Sequence, residues 1–396
     1  DDLHITEHRG ILYTNYRQHE PIETAVGTLL PADPWREISC SVCETTERLP
    51  RRRPNGEDAI LVSVGSQQLL QDFSAVTSFS LNLTVSPKLD LVKRLTATRT
   101  PPLGITQTPK EYVGRVFDRQ VRQRSGDASQ LREFIAQLVG LERAAYERAI
   151  RAIRQHVMAL RRIVDDLSLS YAMLVATIES LAQDFEDFEA TWEDVADQKR
   201  GAVEDALEPV AEDVAEQVRG AILEYEHHAL SRRFVGFTLD HLEPSFFREE
   251  ARDEPRPIRR SSLPLALKRA YGFRSRYLHG VQELPRQLTH MPSNGDIRRI
   301  NRRPTLTLHG LARVGKHVIQ RFVERAPKVE EEDFNYREAL PNVVEMRMAT
   351  KYWLWRADGY DHSTARRYLS GLLQEFANFY QEPEEPELTD ISDVLQ

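Results

Sequence analysis

The sequence lacks any long apolar run. No segment approaches the roughly 18 consecutive apolar residues that a membrane-spanning helix requires. The first residues, Asp-Asp-Leu-His, lack the basic and apolar segments of a secretory signal peptide. Apolar residues make up 40% and charged residues 29% of the 396 positions, a balance typical of globular domains. We therefore expect a cytoplasmic protein with no membrane partner.

Cysteine is almost absent. Cys40 and Cys43 are the only two, and no second pair is present to complete a tetrahedral zinc site. A redox or metal-binding role for this pair stays open beside that of two ordinary strand cysteines, and a reducing cytosol favours the second. The sequence predicts no metal site and no cofactor.

The net charge of −8 hides two opposite local balances. Residues 177–216 carry fourteen acidic side chains and two basic ones, whereas residues 248–303 carry thirteen arginines and one lysine against six acids. The basic segment can attract phosphate groups without regard to sequence. It can also pair with the acidic segment inside a helical bundle, and the two interpretations are compatible.

The first 125 residues predict a β-rich domain. Short apolar runs at 22–30, 38–42, 59–64 and 78–85 are bounded by Pro, Gly, Asn and Asp turn signals. The alternation of Phe79, Leu81, Leu83 and Val85 predicts a strand with one buried face. We expect a small sheet or sandwich at residues 1–125, with a sensing or regulatory role.

From residue 129 the pattern becomes helical. Apolar residues recur at spacings of three and four from Tyr146 to Val195, and Asp165 and Asp166 offer N-caps where two consecutive helices can divide. A further helix runs from about 203 to 229, with Pro209 expected to interrupt it. The sequence thus predicts an α+β protein, with a helical region at 129–326 and a helical extension with an acidic tail at 327–396.

One glycine-rich stretch imitates a nucleotide-binding loop. Gly310, Gly315 and Lys316 fit the spacing of a phosphate-binding P-loop, but His317 stands where a magnesium-binding Ser or Thr is needed. Apolar residues through this stretch form one helical stripe. We therefore predict a helix there and no nucleotide hydrolysis.

The most specific pattern in the chain is an arginine followed by a histidine at the end of a predicted helix. Arg274 offers planar donors matched to a phosphate, and His279 can exchange a proton near neutral pH. Gly280 occupies the expected C-cap, so His279 is predicted in the last turn, near solvent. With Tyr271 and Ser275, this block resembles the R-x4-6-H motif of the HEPN superfamily, in particular its Apea-type branch.

This resemblance implies an all-α HEPN bundle that dimerises and joins two motifs into one metal-independent ribonuclease site, in antiviral defence or stress. Arg274 would hold the scissile phosphate and His279 would be the general acid or base. Ser275 stands where many active members have Asn, Asp or His. From the surrounding charge we expect Arg276, Arg269, Lys268 and Ser275 to contact RNA.

Two other hypotheses stay open. The same bundle can be a non-catalytic module that dimerises and binds a partner protein or nucleic acid, with Arg274 and His279 forming a buried structural pair. Alternatively, residues 1–125 sense a trigger or bind a regulatory partner, and the helical region only transmits the signal.

Overall fold

The computed structural model describes residues 3–50, 66–98, 107–183, 185, 192, 195, 197–225, 229–293, 295–330, 332, 369, 373, 376, 377, 379 and 380. Residues 1–334 form one compact unit and residues 335–396 a second. The six described residues between 369 and 380 are helical. The strand predicted at 59–64 lies outside the described residues.

The N-terminal strands form an antiparallel sheet in the order β3-β4-β5-β1-β6. Its strands are β1 (Leu3–Thr14), β3 (Ile22–Thr24), β4 (Gly27–Trp35), β5 (Ile38–Pro50) and β6 (Val85–Ser86). The short strand β2 (Tyr16–Arg17) lies outside this sheet and pairs in parallel with residues Val121–Arg122. The strand at 38–42 is confirmed, while a turn divides the run 22–30 between β3 and β4. Both cysteines lie buried in β5, and burial raises the pKa of the Cys43 thiol to about 12, so they behave as ordinary strand cysteines.

The strand predicted at 78–85 is wrong over most of its length. Residues Ser66–Leu81 form helix α1, and only Val85 and Ser86 join the sheet, as β6. Residues 73–81 of α1 are buried on every side. A helix without a solvent face has no polar stripe, so its sequence cannot show the 3.6-residue period. The short alternation of Phe79 and Leu81 therefore carried no information about the backbone.

The division of the long apolar stripe into two helices is confirmed. After α2 (Leu89–Leu95), α3 (Pro109–Tyr112), β7 (Val121–Arg122) and α4 (Asp127–Val139), the chain forms α5 (Arg143–Arg161) and α6 (Leu167–Leu181). Asp166 caps α6, because its carboxylate accepts a hydrogen bond from the Leu169 amide at 2.9 Å.

The remaining helices complete one continuous core. They are α7 (Asp197–Leu207), α8 (Glu212–Tyr225), α9 (Ala229–Asp240), α10 (Pro244–Arg248), α11 (Leu263–Gly280), α12 (Arg286–Thr289) and α13 (Leu308–Arg325), with the hairpin β8 (Ile297–Ile300) and β9 (Arg303–Leu306) before α13. Pro209 separates α7 from α8, as predicted. Helices α5, α6, α11 and α13 pack together, and α1 packs on α5. The buried apolar cluster runs from Leu12 in β1 to Val323 in α13, so the fold is α+β.

Two glycines of α13 give a matched stability prediction. A methyl group at Gly310 would overlap the backbone carbonyl of Asp296, whereas one at Gly315 would meet side chains alone, the His156 ring 3.3 Å away at Nδ1 and Ile178 at 3.9 Å. We expect Gly310→Ala to lower the free energy of unfolding by about 2–3 kcal/mol. Gly315→Ala should stay within about 1 kcal/mol of the parent, since alanine favours the helix. Urea unfolding checks this, and equal losses for the two variants would contradict the packing of α13 on the Asp296 loop.

Candidate functional site

Helix α11 carries the predicted motif in its last two turns. Leu263, Ala266, Leu267 and Ala270 form its buried face, and every residue from 271 to 280 is half-buried or exposed. Ser262 precedes the helix, but its side chain makes no capping hydrogen bond. The first half of α11 thus anchors the helix in the core, and the second half presents the motif at the surface.

Arg274 lies on the inward face of α11. It follows Leu263, Leu267 and Ala270 at spacings of four, three and four residues, which place the four side chains on one stripe of the helix. One turn beyond the apolar core, its guanidinium meets Glu179 of α6, with Nη2 2.5 Å from Oε2. The face of α11 that packs into the core therefore also brings Arg274 next to Glu179.

The Arg274–Glu179 pair is shielded from solvent and shared with a third group. The two side chains are 18% and 14% exposed, and Tyr271 donates its hydroxyl to the other Glu179 oxygen at 3.0 Å. Burial and the Glu179 charge raise the pKa of Tyr271. Arg274 Nε is buried without a hydrogen-bond partner, and the side chain lines a cavity of about 300 Å³ beside Arg233. Arg274 is thus a fixed cation at the wall of a cavity.

His279 lies on the outward face instead. A separation of five residues turns an α-helix by about 140° and advances it by about 7.5 Å. His279 is exposed in the last turn of α11, as predicted. In the described part of the chain, no hydrogen bond or ion pair joins it to Arg274. One copy of the chain therefore does not bring the two predicted catalytic residues together.

The predicted RNA contacts share the outward face with His279. By helix geometry Lys268, Ser275, Arg276 and Arg269 fall within about 80° of His279. Lys268 and Arg276 are exposed, whereas Ser275 and Arg269 are half-buried. His279 therefore shares one face of α11 with three cations and a hydroxyl, of which Arg276 and Ser275 lie within about one turn of it, whereas Arg274 lies on another face.

The Phe273 ring lies beside two of these cations. The guanidinium carbon of Arg276 lies 5.0 Å from the Phe273 ring centre, and that of Arg269 lies 5.8 Å from it, within the range of cation–π attraction. Arg269 Nε also donates to Thr305 Oγ1 at 3.0 Å. Burial, with the nearby positive charge of Arg303, lowers the pKa of Arg269. Positive charge is therefore concentrated on this side of α11.

The basic segment 248–303 is left almost uncompensated. Of its fourteen arginine and lysine side chains, Arg274 alone forms an ion pair with any residue that the structure describes. Among the described residues, the interpretation in which the arginines merely neutralise the acidic segment therefore holds only for Arg274 and Glu179. The other thirteen side chains have no acidic partner among the described residues, so their charge is open to solvent or to a ligand.

The helix ends one residue later than the sequence predicts. Gly280 is the last helical residue, and Val281 takes the left-handed cap with a φ of 49°. The Val281 amide donates to the Tyr277 carbonyl at 2.9 Å, which closes the final turn. A left-handed valine costs roughly 1–2 kcal/mol. Val281 is 77% exposed and Leu278 is 50% exposed, so an apolar surface adjoins His279.

One cluster of potential metal ligands occurs among the described residues. Glu254, Asp296 and His309 place ligand atoms within 4.8 Å of one another. Arg313, however, donates to both Asp296 oxygens at 2.9 Å and lies 3.9 Å from Glu254. A guanidinium already neutralises this cluster, so the donor set suits an ion-pair network better than a cation site.

No known protein family, no curated protein and no solved structure matches this chain. Across the described residues, no helix combines the length and the apolar composition needed to cross a membrane. The HEPN resemblance rests on the sequence block around Arg274 and His279.

Proposed function

We propose that this protein is a metal-independent endoribonuclease of the HEPN type, acting in antiviral defence or stress, with His279 as its acid–base residue. One observation carries the proposal: an exposed histidine lies at the end of a helix whose outward face carries cations without an acidic partner among the described residues. Such a face attracts RNA phosphates and offers a proton-exchanging group beside them.

The chemistry needs two proton transfers at one phosphate. A base takes the proton of the 2′-hydroxyl, whose oxygen attacks the adjacent phosphorus, while an acid protonates the departing 5′-oxygen. The products are a 2′,3′-cyclic phosphate and a free 5′-hydroxyl. One histidine cannot be deprotonated and protonated at once. We therefore assign the second role to His279 of a second copy, so that the homodimer is the active species.

The cations divide between two roles in this proposal. Arg276, about one turn before His279 on the outward face, would bind a phosphate next to the cleaved bond, and Lys268, about three turns before it, would bind the RNA strand farther along. Arg274 is paired with Glu179 within one protomer. It would therefore hold the scissile phosphate only if the phosphate displaced the Glu179 carboxylate. Until that exchange, Arg274 is a positioning residue that ties the end of α11 to α6.

The surface beside His279 also suits a dimer contact. Leu278 and Val281 are large apolar side chains exposed in the same final turn. Covering them with the same residues of a second copy would remove apolar surface from water and bring two His279 side chains to one cleft.

The proposal is tested by incubating the full chain with single-stranded RNA in EDTA. We expect cleavage that leaves cyclic-phosphate and 5′-hydroxyl ends and is unchanged by added magnesium. Products with 5′-phosphate ends, or cleavage that requires magnesium, would contradict the assignment.

The Arg274–Glu179 ion pair supports a second candidate function. A bundle whose motif arginine is neutralised in place can bind RNA or a partner protein without cutting. Tight RNA binding with no cleavage in the same assay would favour this non-catalytic module. The sensing role of residues 1–125 stays a prediction under either function.

RNA affinity should depend on the outward cations of α11. Lys268→Ala and Arg276→Ala are each expected to weaken single-stranded RNA binding by about three- to tenfold and to reduce the salt dependence by about one released counterion. Lys93→Ala, which removes an exposed lysine from α2, is the matched control and should have no such effect. Fluorescence anisotropy across a salt series measures both quantities. Losses no larger than that of the control would exclude α11 as the RNA contact.

A further inference from the structure

A second concentration of positive charge lies in a cavity away from His279. This cavity, about 80 Å³ in volume, opens between the N-terminal part of the chain and helix α13. Asn82 and Arg115 line it from the segments after α1 and α3, His156 from α5, and His309, Arg313 and Lys316 from α13. None of its lining residues is acidic.

Lys316 enters the cavity without a counter-ion. Its ammonium donates to the Ser80 carbonyl at 2.9 Å, and no carboxylate that the structure describes lies within ion-pairing distance of it. Glu250, whose charge acts on Lys316, accepts a hydrogen bond from His317 at 2.7 Å. Burial, with a contribution from Arg115, lowers the pKa of Lys316 to about 7. An unpaired and desolvated cation of this kind is costly unless an anion joins it.

Three residues that line this cavity each have one buried polar atom without a hydrogen-bond partner. Arg313 Nη1, His156 Nδ1 and His309 Nδ1 are buried without partners, and they make up three of the ten such atoms in the described residues. Asp296 holds the Nε and Nη2 side of Arg313, which leaves Nη1 unused. His309 Nε2 lies 2.9 Å from a Glu254 oxygen, and Glu254 is not among the residues that line the cavity.

Arg115 adds the third formal charge. Its Nη2 lies 3.7 Å from Asp127, a long contact that leaves the cation incompletely neutralised. Burial and the neighbouring Arg124 lower the pKa of Arg115. Lys316 and Arg115 therefore line one small cavity from two separate parts of the chain, together with Arg313, whose charge Asp296 already balances and which adds the free Nη1 donor.

We propose that this cavity is a binding site for a phosphate-type oxyanion, held by Lys316, Arg313 and Arg115. A volume of about 80 Å³ holds several waters, so it admits one tetrahedral oxyanion but not a nucleoside. Inorganic phosphate, or the terminal phosphoryl group of a nucleotide whose remainder stays outside, has the required chemistry. The site lies along the side of α13, unlike a P-loop, which uses a helix N-terminus.

A bound oxyanion would join the two parts of the fold. Arg115 belongs to the segment that follows α3, whereas Arg313 and Lys316 belong to α13. An anion between them replaces mutual repulsion by attraction, so it should stabilise the folded chain. This site and its test are independent of RNA cleavage.

Thermal unfolding of the full chain tests the site directly. At matched ionic strength, saturating inorganic phosphate or sulfate should raise the midpoint temperature by about 3 °C or more relative to chloride. A nucleoside monophosphate added in place of phosphate shows whether the site binds the phosphoryl group of a nucleotide or inorganic phosphate. A shift that Lys316→Met abolishes supports the site and identifies which source binds, because phosphate and sulfate also stabilise folded proteins without a specific site. No shift with phosphate, sulfate or nucleotide overturns it.

Lys316→Met separates a ligand-binding role from a structural one. Methionine keeps the apolar stem and removes the charge, so the variant without phosphate should unfold at the same or a higher temperature than the parent, and its phosphate shift should vanish. Lys93→Met is the control and should retain the full shift. A Lys316→Met protein that keeps the shift overturns the proposal. If that variant fails to fold, displacement of phosphate by sulfate on the parent chain, followed by ³¹P NMR, decides instead, and the absence of displaceable phosphate overturns the site.

Discussion

Replacing His279 with alanine is expected to lower the rate constant of RNA cleavage by at least about 100-fold. General acid–base catalysis contributes roughly 100- to 10,000-fold, and in a dimer with two His279 side chains the substitution removes both the acid and the base. The affinity for RNA should change by less than about threefold, because Lys268, Arg269 and Arg276 stay in place. Single-turnover cleavage in EDTA, with RNA affinity measured separately, gives both quantities.

His19 supplies the matched control for this experiment. It is an exposed histidine near the N-terminal sheet, and His19→Ala should cleave RNA at the parent rate. The free energy of unfolding should be the same for both variants within about 0.5 kcal/mol, since each histidine is exposed. Undiminished cleavage by His279→Ala would remove His279 from the site.

The second large effect is expected at Arg274, and it concerns stability. Arg274→Met should lower the free energy of unfolding by about 2–4 kcal/mol, because it leaves the mostly buried Glu179 carboxylate without its cation. Adding Glu179→Gln in the same chain should restore at least about 1 kcal/mol by removing the stranded charge. Urea unfolding of the parent, the single variants and the double variant measures this coupling.

Arg276→Met provides the comparison on the same helix. Arg276 is exposed and makes no ion pair with a described residue, so its replacement should cost no more than about 0.5 kcal/mol. Equal stability losses at 274 and 276 would mean that Glu179 does not hold Arg274 in solution. The motif arginine would then be free to bind a phosphate.

Local signals in the sequence predicted several features of the fold. Asp166 caps the start of α6 because its carboxylate accepts a hydrogen bond from a free backbone amide, which is a property of a few adjacent residues. Pro209 divides α7 from α8 for an equally local reason, the missing amide hydrogen. The alternation at 78–85 did not indicate a strand, because residues 73–81 of α1 are buried on all sides, and burial depends on distant partners.

The two faces of α11 were partly accessible from the sequence. The stripe Leu263, Leu267, Ala270 and Arg274 has helical spacing, so the inward position of Arg274 follows from periodicity alone. Its acidic partner does not, because Glu179 lies on another helix far away in the chain. The left-handed Val281 was also missed, since the glycine before it is the residue that usually takes that position.

The oxyanion cavity could not have been predicted from local patterns. In the sequence, Lys316 belongs only to an incomplete P-loop pattern, and Arg115 lies in a segment without a motif. Their convergence depends on how α13 packs against the N-terminal part of the chain, a contact that bridges some two hundred residues. Positive residues indicate such a binding site only when the structure shows that they are buried and lack acidic partners.

The central claim is that two His279 side chains, one from each copy, form one RNA-cleaving site. It is tested most directly by co-refolding the parent chain with increasing proportions of His279→Ala and measuring RNA cleavage in EDTA. We predict that activity falls with the square of the parent fraction, because only parent–parent dimers hold both the acid and the base. Activity that falls in simple proportion to the parent fraction would show that each copy cleaves alone, and would contradict the composite site.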